Sequence, residues 1–211
     1  METKIVTVYT YQELSEKAKE RVYNDSLEMF NIESNGQIEE TIKETLDKEG
    51  LSGLKKDIRF SISNSQGDGV AFFGHVNLEE FMKAQNYEAK TPIPDFVSID
   101  IYSNSNHYSH YNTMSIENDL DSIEIAEDGI DDFDNYIISQ VTYDETKELI
   151  AYVLEKCKDI SRELENDAYK IIEQEYSVEN LIEMCDVNEW RFFKTGEIFC
   201  EWTTNEKKEG E

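Results

Sequence analysis

The chain has 211 residues, 38% hydrophobic and 11% aromatic, with 47 Asp and Glu against 20 Lys and Arg, giving a formal net charge of −27 and a pI near 4.3. Twelve Tyr, ten Phe and only two Pro argue against disorder in spite of the charge, and the length fits one packed domain or one domain with an appended subdomain. The imbalance exceeds the magnitude of about 2 to 8 usual for a small soluble domain; it disfavours direct binding of nucleic acid, whose phosphates it repels, and favours a basic partner surface.

In chain order, residues 4–9 (KIVTVY) alternate as a short strand. Thr10 and Glu13 have capping-box spacing and open a helix through about Phe30, with Leu14, Ala18 and Val22 recurring every four residues. A second helix is predicted from about Gln37 to Lys48, burying Ile38, Ile42 and Leu46 and ending at Gly50. The two make a helical layer.

From Asp57 the period changes to two. Ile58, Phe60 and Ile62 alternate with polar neighbours, Ser65-Gln-Gly-Asp-Gly69 turns the chain, and Val70–Gly74 returns, which reads as a β-hairpin. Asn77–Gln85 reads as a short helix, Pro92 and Pro94 mark a connection, and Phe96–Tyr102 and Tyr111–Glu117 read as further strands.

Thr142 and Glu145 repeat the capping-box spacing ahead of a long helix or broken helix pair ending near Tyr176, with Leu149, Val153, Cys157, Leu164, Ala168 and Ile171 on one face. Ser177 caps a short helix, and Trp190–Phe193 with Glu197–Phe199 form a terminal hairpin. The expected fold is α+β: an antiparallel β-sheet with an N-terminal helical pair and a long C-terminal helix or helix pair. Residues 1–202 are read as a single domain with an acidic insertion at 117–135, and 203–211 as a polar C-terminal tail.

Charge is unevenly placed. The 56 residues between Lys90 and Lys147 contain no Lys or Arg and thirteen Asp and Glu. Nine of these, Glu117, Asp119, Asp121, Glu124, Glu127, Asp128, Asp131, Asp132 and Asp134, fall in one stretch and are the expected partner-binding residues. Leu120, Ile123, Ile125, Ile130 and Phe133 between them are expected to anchor the stretch to the fold, holding its carboxylates at fixed positions. Carboxylates so held can imitate the phosphate array of a nucleic acid.

Signals for chemistry are weak by comparison. An EF-hand register centred on Gly129 puts Ala126 and Asn135 where acidic ligands are needed. The Ser65–Gly69 turn lacks a Walker lysine, and His107 and His110 fall on opposite sides of a strand, so joint metal ligation requires a loop. Cys157, Cys185 and Cys200 are odd in number and lack metal-ligand spacing, and they read as reduced thiols. The chain is therefore read as non-enzymatic, with no catalytic residues, cofactor or metal. The start of the sequence has no run suited to a signal peptide, and no stretch approaches the roughly 18 apolar residues of a membrane span; a cytoplasmic location without membrane contact is expected.

Three segments carry a family likeness: Tyr11-Gln-Glu-Leu-Ser-Glu-Lys-Ala-Lys-Glu-Arg-Val22, Phe60-Ser-Ile-Ser-Asn-Ser-Gln-Gly-Asp-Gly-Val-Ala-Phe72 and His107-Tyr-Ser-His-Tyr-Asn-Thr-Met-Ser-Ile-Glu117. In order and spacing they resemble a group of bacteriophage proteins often labelled as antitoxin of a toxin–antitoxin stability system. Asn64 stands where that group usually has an aromatic or small residue. The resemblance implies a phage or prophage origin and action in the bacterial host cytoplasm. Small acidic phage proteins include inhibitors of host defence, among them anti-CRISPR proteins that occupy nucleic-acid sites. The expected function is thus inhibition of a host defence nuclease, or another basic nucleic-acid-binding protein, by imitation of phosphates. The alternatives are an antitoxin-like or regulatory protein-binding module and a metal-dependent enzyme using His107 and His110.

Overall fold

Every fourth residue from Ala18 to Leu46 is buried, and that spacing writes one helix. In the computed structural model, which describes residues 6–200 except 64, 66, 106 and 128, α1 runs unbroken over Glu16–Lys48. The expected helical pair is a single element. Two serines disguise the stripe: Ser26 and Ser34 occupy buried positions, and their hydroxyls donate to the carbonyls of Val22 and Asn31 at 2.9 and 3.3 Å. A repeat of four in a helix of 3.6 residues per turn drifts by about 40° per step, so the buried side winds round α1 and no fixed apolar face marks its whole length.

Gly36 does not interrupt α1 because a glycine in a helix costs only about 1 kcal/mol relative to alanine. A Cβ added there meets nothing within 4 Å. Gly36→Ala is accordingly expected to raise the unfolding free energy by about 0.5–1 kcal/mol, seen as a higher urea midpoint; an unchanged or lower midpoint contradicts a continuous helix.

The chain forms two compact units, Met1–Gly36 with Lys170–Glu211 and Gln37–Tyr169. In the first unit Leu14, Ala18, Val22 and Phe30 pack with Leu181, Cys185 and Phe192. The Thr10–Glu13 capping box is present, with the Thr10 amide and hydroxyl donating to Glu13 Oε2 at 2.8 and 3.0 Å, but it closes a 3₁₀ turn over Tyr11–Glu13 ahead of α1. The expected strand at 4–9 falls partly outside the described residues, and Tyr9 makes one antiparallel bridge to Phe192. Ser177 caps the helix over Val178–Val187 by accepting the Asn180 amide at 3.0 Å. The terminal hairpin closes through Phe193 N–H to the Glu197 carbonyl at 2.8 Å and Phe199 N–H to the Arg191 carbonyl at 2.7 Å. The expected tail lies outside the described residues.

The second unit carries an antiparallel four-stranded sheet in chain order: β1 (Asp57–Ser61), β2 (Gly69–His75), β3 (Ile99–Ser103) and β4 (Met114–Asn118). The predicted hairpin is β1–β2, with Phe60 opposite Val70. The short helix α2 (Leu78–Gln85) starts at Asn77, whose side chain accepts the Glu80 amide at 3.1 Å. β3 and β4 each begin three residues later than the alternation suggests, because Tyr111–Thr113 forms a 3₁₀ turn and Phe96 is engaged elsewhere. Ile99, Ile101 and Met114 are buried on one face of the sheet. A fully buried side chain of this kind contributes about 1.5–3 kcal/mol.

Over Gln140–Glu175 the long helix α3 is one piece, with Leu149, Val153, Cys157, Leu164 and Ala168 buried along it. Thr142 and Glu145 do not form the expected capping box. Ser139 stands at the helix start and its hydroxyl accepts the Thr142 amide at 3.3 Å, whereas the Glu145 carboxylate accepts the amides of Lys90 and Thr91. Glu145 is thus a tertiary clasp on the 90–91 loop. A second clasp is Glu49, which pairs with Lys156 at 2.9 Å and accepts Gln85 Nε2 at 2.9 Å, joining the end of α1 to α2 and α3. Among the described residues no helix is long and apolar enough to cross a membrane.

Candidate functional site

Cross-strand pairing puts two carboxylates directly opposite each other: Asp100 on β3 faces Glu117 on β4. Like charges in that position destabilise a sheet; His75 on β2 stands beside Asp100, at an Nδ1–Oδ1 distance of 3.6 Å. The outward face of β3 and β4 therefore carries a like-charged cross-strand pair. Asp100 belongs to this surface although the sequence offered no way to see it, since strand register is set by long-range pairing.

The segment Phe96–Asp100 holds both ends of the acidic stretch. Ser98 N–H donates to Asp119 Oδ1 at 2.9 Å, Asp100 faces Glu117, and the Phe96 ring meets Phe133 at 6.2 Å and Tyr136 at 4.9 Å between centroids. Asp121 accepts the Tyr143 hydroxyl from α3 at 2.8 Å, an interaction that raises the Tyr143 pKa first through that hydrogen bond. Between these anchors lie two short parallel strands, β5 (Glu124–Ile125) and β6 (Ile137–Ile138), and Asp132 exchanges backbone hydrogen bonds with Ile137. Among its described residues the stretch is tied to the fold at these points.

The nine expected residues divide by role. Glu117, Glu124, Glu127 and Asp134 are exposed, as is Asp132, which accepts Asn135 Nδ2 at 2.8 Å. Asp119 and Asp121 are exposed yet hold the local connections described above. Asp131 is half-buried and turned inward, accepting the Ser139 amide at 2.6 Å and the Thr142 hydroxyl at 2.9 Å. Burial pushes its carboxyl pKa up, but the hydrogen bonds from Ser139 and Thr142 outweigh that and hold it below the ordinary value. A negative charge at this point also suits the positive end of α3. Asp128 lies outside the described residues.

The apolar residues of the stretch do not all serve as anchors. Leu120 is buried and Ile123 and Phe133 are half-buried, but Ile125 and Ile130 face outward. Beside the acidic surface a cleft of about 420 Å³ is lined by His75, Asn77, Glu79, Met82, Asp95 and Val97.

The Ser65–Gly69 turn holds an inward carboxylate. Asp68 is buried and accepts the amides of Ser63 and Ser65 and the hydroxyls of Ser61, Ser63 and Ser65. Gly67 adopts φ of +94°, and a Cβ there would lie 2.1 Å from the Tyr108 ring, so both backbone and space demand glycine. His110 accepts the Asn112 amide through Nδ1 at 3.1 Å and its ring lies tilted against Tyr111, 4.0 Å between centroids, while His107 is exposed. Among the described residues no three His, Cys, Asp or Glu side chains gather closely enough to hold a metal ion. Cys157 is buried, and its thiol is pushed up to about 12 by burial, which leaves it unreactive at neutral pH. No family model, curated protein or solved structure matches this chain.

Proposed function

We propose that this is a binding protein that occupies a basic, nucleic-acid-binding surface of a host defence nuclease, with its acidic stretch presented in place of nucleic-acid phosphates. The observation that carries the reading is charge on a segment tied to the fold: Asp119 is held by Ser98, Asp121 by Tyr143 and Asp131 by Ser139 at the start of α3, with no Lys or Arg between Lys90 and Lys147. Carboxylates on a backbone already held by the fold lose less chain entropy when a partner binds than the same charges on a free tail. The resemblance of Tyr11–Val22, Phe60–Phe72 and His107–Glu117 to phage proteins supports a bacterial defence protein as the target.

Binding to purified CRISPR effector complexes and restriction nucleases, measured from low to high salt, tests the reading. Affinity is expected to fall steeply with salt, and bound protein is expected to exclude the nuclease's own nucleic acid. Tight binding indifferent to salt, or simultaneous binding with nucleic acid, rejects it.

A further inference from the structure

Around the acidic stretch several large apolar side chains point to solvent: Ile130 is 66% exposed, Tyr136 61% and Val141 64%. Scattered exposed apolar residues are ordinary. These fall within a short run of the chain, on the β5–β6 segment and the first turn of α3, with Ile125 on β5 also exposed and the exposed carboxylates of Glu124, Glu127, Asp132 and Asp134 in the same run. Tyr136 is the most informative. It closes the 3₁₀ turn over Phe133–Asn135 in the left-handed region at φ 58°, ψ 35°, its N–H donating to the Phe133 carbonyl, a conformation that suits Asn or Gly and costs a bulky residue about 1–2 kcal/mol. Phe96 supports its ring at 4.9 Å while most of the side chain stays in solvent. A tyrosine ring that is supported on one side by Phe96 and otherwise open to solvent is the kind of side chain that anchors interfaces.

Aromatic and aliphatic anchors within a charged rim are the anatomy of a protein interface. Charge decides the occupant. A second copy of a chain carrying −27 would bring the same carboxylates against themselves, and nucleic acid would be repelled by them. A basic protein surface satisfies both the rim and the anchors. We infer that Tyr136, with Ile130 and Val141, inserts into an apolar recess rimmed by Lys and Arg on the partner, so that the carboxylates steer the encounter and the apolar anchors hold the complex. This inference rests on the proposed binding of a basic partner and adds a contact that imitation of phosphates alone does not supply.

The full chain and two synthetic peptides of equal length and lysine content test it, one alternating lysine with tryptophan and the other lysine with serine. The lysine–tryptophan peptide is expected to bind about tenfold more tightly, a margin of the size one interface anchor supplies. Tyr136→Asn combined with Ile130→Ser is expected to abolish that margin and leave binding of the lysine–serine peptide unchanged; asparagine keeps the left-handed backbone, so the unfolding midpoint is expected to hold. Should the double variant be destabilised, Val141→Ser alone must reduce the margin selectively. Equal binding of the two peptides, or a margin that survives these substitutions, overturns the inference. Failure of every nuclease in the salt experiment rejects the proposed function separately, whatever the peptides show.

Discussion

Asp68→Ala is expected to lower the unfolding free energy by about 3 kcal/mol, a large loss for a domain whose total stability is about 5–15 kcal/mol. The wild-type carboxylate gathers two amides and three hydroxyls from Ser61, Ser63 and Ser65, and Tyr169 approaches it from α3 at 3.4 Å. Alanine leaves the amide donors of Ser63 and Ser65 without an acceptor in a place only partly open to water. Asp68→Asn keeps the shape but turns an amide donor toward other donors, and a loss between those of wild type and alanine is expected. Urea unfolding of the full chain measures both, and an alanine variant within 1 kcal/mol of wild type would remove Asp68 from its role as the organiser of the β1–β2 turn.

The same residue makes the turn sensitive to acid. Burial pushes the Asp68 carboxyl up, but the Ser65 and Ser63 hydrogen bonds outweigh it and hold the folded-state value far below the ordinary 3.8. A depressed value means that the stabilisation is complete above the unfolded-state pKa and is lost progressively as pH falls below it toward the folded-state value. Wild type is therefore expected to lose stability below about pH 4, while Asp68→Asn loses less over the same interval. Parallel pH profiles for the two proteins would assign the acid sensitivity to other carboxylates.

Local patterns carried most of the element inventory, and long-range partners account for the differences. Strand alternation at Ile58–Ile62, the turn at Gly67–Gly69 and the caps at Asn77 and Ser177 act over a few residues, and each stands where its sequence signature lies. The α1 stripe reads as two helices because hydroxyl groups at Ser26 and Ser34 look solvent-facing, whereas they hydrogen-bond to the Val22 and Asn31 carbonyls. Thr142 and Glu145 have the spacing of a cap, yet their partners, Asp131 and the 90–91 amides, are remote in sequence. In the acidic stretch the composition marked the segment without marking the roles within it. Whether a given aspartate faces water or a helix start, as Asp132 and Asp131 do, depends on contacts with Asn135, Ser139 and Thr142 that charge counting cannot register.

That division of roles yields the sharpest expectation for binding. Replacing the exposed Glu124, Glu127, Asp132 and Asp134 by their amides is expected to weaken binding to a nuclease that passes the salt test by about 100-fold at low salt, chiefly through slower association, and to flatten the salt dependence. Their removal also relieves like-charge repulsion, so the unfolding midpoint should stay level or rise. Asp131→Asn should behave in the opposite way. It removes one formal charge but weakens the link to Ser139 and Thr142 at the start of α3, with an expected loss of about 1–2 kcal/mol in stability and little change in association rate if the variant is kept folded. The contrast separates charge that meets a partner from charge that builds the platform. Equal binding losses for the fourfold and single variants, at equal fractions folded, would mean that the partner contacts Asp131 itself and that the inward carboxylate is exposed in the complex.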